Sequence, residues 1–414
     1  MSRPTKIVKM ALGLSLILFL AGCGAPSVRK VPPDWGDRKI YRPQLLPSSP
    51  VLEAVPADKL PPLADDLDVP SLHLAIERSL EYFQRLRERD TYLLGTRQVT
   101  VKEMKETLRA FREIIAGSEP PGTKEKMIRE TFAFYRAVGD DGRGRVIFTG
   151  YYEPLLEGSF QKSARYRFPL YRVPEETALF MPPDGRERSK HDRLVGRAYN
   201  GNIVPHYKRA EIDTGGALNG RNLELIYVAD PVELFFLHIQ GSGKIRLPEG
   251  RIVQVGYAQN NGHPYRSIGN YLLGKGKLSK KDTSQGAIKK YLREHPEETA
   301  SILNHNERYV FFRLLSEGPV GALNVPVTAG RTIASDPALF PQGALAFIKL
   351  RKPLINNGNI LSWEPFTRYV LNQDTGGAIT GAGRIDLFCG GGPEAEVMAG
   401  SLKERGELYF LIKK

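Results

Sequence analysis

DTGGAITGAGRIDLFCG, Asp374 to Gly390, sets two carboxylates twelve positions apart around a glycine-rich turn. Glycines at 376, 377, 381, 383 and 390 accept positive φ angles and let backbone approach a ligand closely. The stretch therefore predicts a floor of tight turns with acids projecting from strand ends. A third acid, Asp336, lies upstream in IASDPALFPQG. A carboxyl among apolar neighbours such as Ile385, Leu387 and Phe388 holds its proton toward neutral pH, which suits acid/base work on a bulky substrate. The plain alternative has Asp374 capping a turn and Asp386 pairing with Arg384. Three acids around one hairpin favour chemistry.

A near copy, DTGGALNG, stands 161 positions earlier at Asp213 to Gly220. Paired Asp-Thr-Gly loops would fit an aspartic protease, whose two carboxylates share a proton. Such enzymes follow the glycine with Ser or Thr, whereas Gly216 and Gly377 follow here, and the flanks share no longer register. The first copy reads as an echo and the second as the working loop. No HExxH or other metal-spaced cluster occurs, so no metal or cofactor is expected. Gly241-Ser242-Gly243 lacks the setting of a hydrolase elbow, and Cys389 reads as a small turn residue rather than a nucleophile.

The chain has 414 residues, 41% hydrophobic, with a formal charge of +13. That length allows two or three domains with full cores, and the charge predicts a polyanionic partner. The N-terminus narrows the choice. Arg3, Lys6 and Lys9 precede an apolar run, Met10 to Ala21, that ends Leu20-Ala21-Gly22-Cys23. This resembles a bacterial lipoprotein signal, with residues 1–22 removed and Cys23 lipidated. Gly24 after the cysteine favours the outer membrane, facing the periplasm. An exported address argues against nucleic acid as a partner.

Proline-rich sequence then predicts a tether from Cys23 to Pro70. Ile76, Leu80 and Phe83 give one helix an apolar face. Thr100 with Glu103 forms a capping box opening a second helix, and Lys124 to Arg136 suggests a third. From Arg145 the texture changes to short β-branched and aromatic runs cut by Gly and Pro, among them LELIYVADPVELFFLHIQ, all read as strands. A brief helix carries Ile288, Tyr291 and Leu292, and strand texture resumes through ALAFIKL, RYVLNQD, RIDLFCG and ELYFLIK. The prediction is a mainly β protein with a helical N-terminal part.

ASDPALFPQG, DTGGAITGAGRIDLFCG, GYYEP (Gly150–Pro154), FFLHIQGSGKIRL (Phe235–Leu247) and GYAQNNGHPYRSIGNYL (Gly256–Leu272) together resemble the membrane-bound lytic murein transglycosylase A family, the acids matching its three-aspartate (3D) module. The resemblance runs from about Gly150 to the end; Thr380 departs from the lysine common after DTGGAI. It implies a double-psi β-barrel domain from residues 71–155 and 319–414, and a second β-barrel-like domain inserted at 156–318. Glycan would lie in the groove between them. It implies cleavage of the β-1,4 bond between N-acetylmuramic acid and N-acetylglucosamine, with Asp386 catalytic and Asp374 and Asp336 supporting. The implied substrate-binding set is Tyr151, Tyr152, Glu153, Gln240, Gly241, Ser242, Tyr257, Asn261, Tyr265, Thr375, Gly376, Gly377 and Arg384, with Asn260 beside Asn261. Tyrosines would stack on sugar faces and amides would bond hydroxyl and acetamido groups. Partners would be peptidoglycan strands, the membrane through the lipid, and a cell-wall synthesis complex. The alternative is a double-psi barrel that grips the wall without cutting it.

Overall fold

The computed structural model describes residues 50–180, 194–279 and 284–414. The signal, Cys23 and most of the expected tether lie outside the described residues. The N-terminal part runs β1 (Leu52–Val55), α1 (Val69–Gln84), the hairpin β2 (Thr91–Leu94) and β3 (Arg97–Thr100), α2 (Val101–Ala116), α3 (Pro121–Thr131), β4 (Phe132–Ala137) and β5 (Val146–Glu153). The middle part begins with β6 (Leu155–Ser159), β7 (Phe168–Tyr171), β8 (Thr177–Phe180), β9 (Leu194–Tyr199) and β10 (Asn202–Val204). It continues with α4 (Arg209–Asp213), β11 (Glu224–Val228), α5 (Pro231–Gln240), β12 (Ser242–Arg246) and β13 (Ile252–Asn260), then α6 (Ile268–Gly274), α7 (Gln285–Glu294), α8 (Pro296–Asn304) and β14 (Val310–Leu315). The C-terminal part is β15 (Thr332–Ala334), β16 (Leu345–Asn356), β17 (Asn359–Asp374), β18 (Arg384–Gly391), α9 (Pro393–Ser401) and β19 (Lys403–Lys413).

Six strands close a barrel in the order β19-β16-β17-β15-β18-β5, with β5 returning to β19 and β4 and β1 extending the sheet outward. The β18–β5 and β15–β17 pairs are parallel and the other four antiparallel. A parallel pair cannot be joined by a tight hairpin. Here β5 and its partner β18 are separated by the whole middle part of the chain. Buried Phe148, Ile333, Phe347, Leu371, Ile385 and Leu387 share one hydrophobic cluster with Ile76 and Phe83 of α1 and Phe111 of α2. The capping box on α2 is present: the Thr100 amide donates to Glu103 Oε2 at 2.8 Å, and the Glu103 amide to Thr100 Oγ1 at 3.2 Å.

Three expectations need correction. The folded body starts near Leu52, because β1 pairs with β4 and Leu60 and Leu63 are buried. Asp65 and Asp66 ion-pair Arg331 and Arg368, so residues 52–70 belong to the barrel domain rather than to a tether. The third helix stops at Thr131, where Phe132 begins β4. LELIYVADPVELFFLHIQ is a strand and then a helix. Asp230 caps α5 by accepting from the Val232 amide at 2.7 Å, Pro231 starts it, and Gly241 at φ +80° ends it.

The middle part is a six-stranded sheet, β14-β13-β12-β6-β11-β7, beside the three strands β10-β9-β8. Helices α5 to α8 pack together through Phe235, Phe236, Leu272, Ile288, Leu292 and Ile302. Hydrogen bonds and ion pairs tie this part to the barrel. The Tyr152 amide of β5 donates to Gln240 Oε1 at 3.0 Å. Lys289 of α7 donates to Glu233 of α5 at 2.6 Å and to Glu396 of α9 at 2.7 Å.

Candidate active site

Asp386 lies in β18 between Thr149 of β5 and Ala334 of β15. It lines a cavity of about 210 Å³ with Thr149, Tyr151 and Arg384 from the barrel and Phe236, Gln240, Tyr265 and Gln285 from the inserted part. Its Oδ1 is buried without a hydrogen-bond partner. Burial pushes its pKa up to about 6, with Asp374 adding to the rise and Thr149 and Arg384 opposing it. A protonated carboxyl in a pocket of mixed polarity can donate to an oxygen placed there.

Asp374 ends β17 with both oxygens occupied. Oδ2 accepts from the Tyr151 hydroxyl at 2.8 Å; Oδ1 accepts from the amides of Ala322 at 2.9 Å and Thr375 at 2.8 Å. Burial raises its pKa, and these donors pull the other way. Tyr151, its ring 5.1 Å from Phe388, is held well above the ordinary phenol range and stays a donor. Asp336 is also spent: Oδ1 accepts from the Ala338 amide at 3.0 Å and Oδ2 from the Gly381 amide at 2.8 Å. That second bond pins the glycine loop where Gly381 sits at φ +86°.

Residues 147–313 match the MltA specific insert domain and residues 331–412 the 3D domain. Membrane-bound lytic murein transglycosylase A of Escherichia coli (strain K12) is 30% identical over 334 residues, 80% of each chain. The chain belongs to the membrane-bound lytic murein transglycosylase A family. Its counterpart in Vibrio cholerae is 30% identical over 276 residues, 66% of this chain and 67% of its own. A crystal structure of the Agrobacterium tumefaciens membrane-bound lytic murein transglycosylase matches with a TM-score of 0.72 at 30% identity, covering 87% of this chain and 97% of that one. E. coli MltA with bound chitohexaose matches at 0.67 and 25% identity, covering 89% and 97%. As an MltA family member the chain is a peptidoglycan lytic transglycosylase, so the reading as a wall-binding module without activity is set aside.

Within this MltA fold the residues named from sequence separate into three groups. Tyr151, Gln240, Tyr265, Arg384 and Asp386 line the cavity. Thr375, Gly376 and Gly377 form the loop beyond Asp374, and Tyr257, 43% exposed, shares hydrogen bonds with Gln259 and Asn260. The others are structural. Tyr152 is buried, its hydroxyl engaged by Glu396, Gln285 and Lys289, so it offers no face to a sugar. Asn261 is fully buried and spends its amide on Tyr207, Glu307, His263 and Tyr309. Glu153 is buried against Lys244 at 2.9 Å; Gly241 ends α5, and Ser242 opens β12 opposite Gly256.

The two Asp-Thr-Gly triplets do not form a pair: Asp213 bonds Arg209 within the insert, while Asp374 bonds Tyr151 in the barrel. Burial raises the Cys389 thiol far above neutrality, which makes it inert as a nucleophile. Sequence reading missed Thr149 and Gln285, which line the cavity, and Arg308, whose guanidinium meets Gly377. None of these three has a local signature.

Proposed function

We propose that Asp386 alone performs the acid/base chemistry on the bond between N-acetylmuramic acid and N-acetylglucosamine. Its protonated carboxyl gives the proton to the glycosidic oxygen as the C1–O bond breaks and an oxocarbenium-like state forms. The carboxylate left behind takes the proton of the muramyl C6 hydroxyl while O6 bonds to C1. The product is a 1,6-anhydromuramyl end, Asp386 regains its proton, and no water is consumed. An ordinary glycosidase needs a second carboxyl to activate water or attack the sugar. Here the nucleophile belongs to the substrate, and intramolecular attack supplies an effective molarity on the order of 10⁵ M or more.

The observation that carries this reading is the difference among the three aspartates. Both oxygens of Asp374 and of Asp336 are committed to protein donors, whereas Asp386 keeps Oδ1 unpaired at a cavity lined by both domains. Asp374 and Asp336 then act as positioning residues for Tyr151 and the glycine loop. Glycan occupies the cleft in this reading, supported by the chitohexaose complex of the E. coli relative. The lipid-bearing Cys23 would hold the enzyme on the outer membrane, facing the periplasm and within reach of a cell-wall synthesis complex.

Isolated sacculi incubated with wild type, Asp386→Asn and Asp374→Asn, followed by mass spectrometry of the muropeptides, test the assignment. Anhydromuramyl ends, lighter by one water than hydrolytic ends, are expected from wild type and at a reduced level from Asp374→Asn. None are expected from Asp386→Asn. Equal loss in both variants, with both still folded, counts against a single acid; reducing ends from wild type would mean attack by water.

A further inference from the structure

The buried arginines away from the cleft are paired with carboxylates: Arg331 with Asp65 at 2.6 Å, Arg368 with Asp66 at 2.7 Å, Arg209 with Asp213 at 3.2 Å. Two arginines on the glycine loop break this pattern. Arg308, just before β14, lays its guanidinium on the barrel's loop, where a β-carbon added to Gly377 would come within 2.9 Å of Nη2. The hydrogen bond its side chain makes is a long one, Nη1 to the His263 carbonyl at 3.4 Å. Arg384 reaches the next residue, donating from Nη1 to the Ala378 carbonyl at 3.2 Å, and its Nε is buried without a partner. Among the described residues neither guanidinium has a carboxylate within ion-pair distance.

A guanidinium carries five N–H donors in a planar fork that matches a carboxylate, and holding it partly out of water without an anion is costly. Burial already depresses the Arg308 guanidinium, and the Tyr257 phenol is the group that opposes the shift. Arg384 also lines the cavity that holds Asp386. Arg384 thus links the reactive acid's cavity to the loop that Arg308 meets from the inserted part.

We infer that Arg308 and Arg384 form a carboxylate subsite on the Gly377–Ala378 loop, which engages an acid group carried by the muramyl side of the substrate. This rests on the glycan reading of the cleft. Two sources offer that chemistry: the lactyl carboxylate of a muramyl residue freed of its peptide, and a carboxylate within an attached peptide stem. A glycan of N-acetylglucosamine alone has neither, so the subsite separates muramyl strands from neutral ones.

The test measures dissociation constants in the non-cleaving Asp386→Asn chain, with and without Arg308→Met. The ligands are chitohexaose, stem-free muramyl strands and stem-bearing strands. Removing a charge-assisted hydrogen bond should weaken the acidic ligands about tenfold or more and leave chitohexaose within about twofold. Arg308→Lys should recover part of the loss. Weakening of stem-free strands alone identifies the lactyl carboxylate, which an attached stem converts to an amide; weakening of stem-bearing strands alone identifies the stem, and weakening of both shows a subsite that takes either acid. Equal weakening of all three ligands makes Arg308 a structural residue and overturns the inference, as does no change in any. If the parent chain binds none of the three, the glycan reading itself fails and takes the subsite with it.

Discussion

Asp386 and Asp374 are both held away from water, and what separates them is the number of donors each is given. Asp374 has three, from Tyr151, Ala322 and Thr375. Asp386 lacks a partner at Oδ1, and its pKa rises to about 6. In the proposed mechanism the acid form starts the reaction, so kcat/KM on soluble strands should fall as pH rises through about 6, by about tenfold per unit beyond it. A pH–rate profile checks this. A falling limb centred near 4, the ordinary aspartate range, would mean that burial does not tune the acid. That Asp386 and Asp374 flank one glycine-rich turn was legible in sequence because acid, glycines and apolar neighbours lie within one short stretch. Asn261 and Tyr152 misled because their residue types suit sugar binding, while their surroundings, set by distant strands, spend every polar atom.

At the scale of elements, α5, α7 and α9 meet at one cation. Lys289 is 5% exposed, bonds Glu233 and Glu396, and lies 5.2 Å from the Phe236 ring centre. Both acids bond it closely, and its pKa stays above the ordinary lysine value despite burial. Lys289→Met should lower stability by about 1–3 kcal/mol, because it leaves two partly buried carboxylates facing each other. Thermal unfolding measures it, and an unchanged melting temperature would show that the clamp contributes nothing net. The elements legible in sequence were the amphipathic ones: α1 and α2 bury one face and expose the other. Helix α5 was hidden because Val232, Leu234, Phe235, Phe236 and Leu237 are buried on several sides at once, which leaves no 3.6-residue period to find. Its capping aspartate and first-turn proline were the usable signals. Helix α9 was missed too; it buries only Ala395 and Ala399.

For the whole molecule, the barrel and its six-stranded closure follow motifs that were visible, while the start of the folded body did not. Proline density in residues 52–70 suggested a tether because sequence cannot show that Asp65 and Asp66 meet arginines about 300 positions away. The described residues contain no helix long and apolar enough to cross a membrane. The proposed scheme places membrane attachment on Cys23. Cys23→Ser should shift the enzyme from the membrane fraction to the soluble fraction of cells while activity on isolated sacculi stays intact. Retention of the variant in the membrane fraction would point to another attachment.

Strand β19, Lys403–Lys413, lies between β16 and β5, and β5 in turn flanks Asp386. Without those eleven residues the ring would be open beside β5, and the burial that lifts the Asp386 pKa to about 6 would be lost. In the proposed mechanism the strength of the acid is therefore set by closure of the ring, by a strand that never touches Asp386 itself.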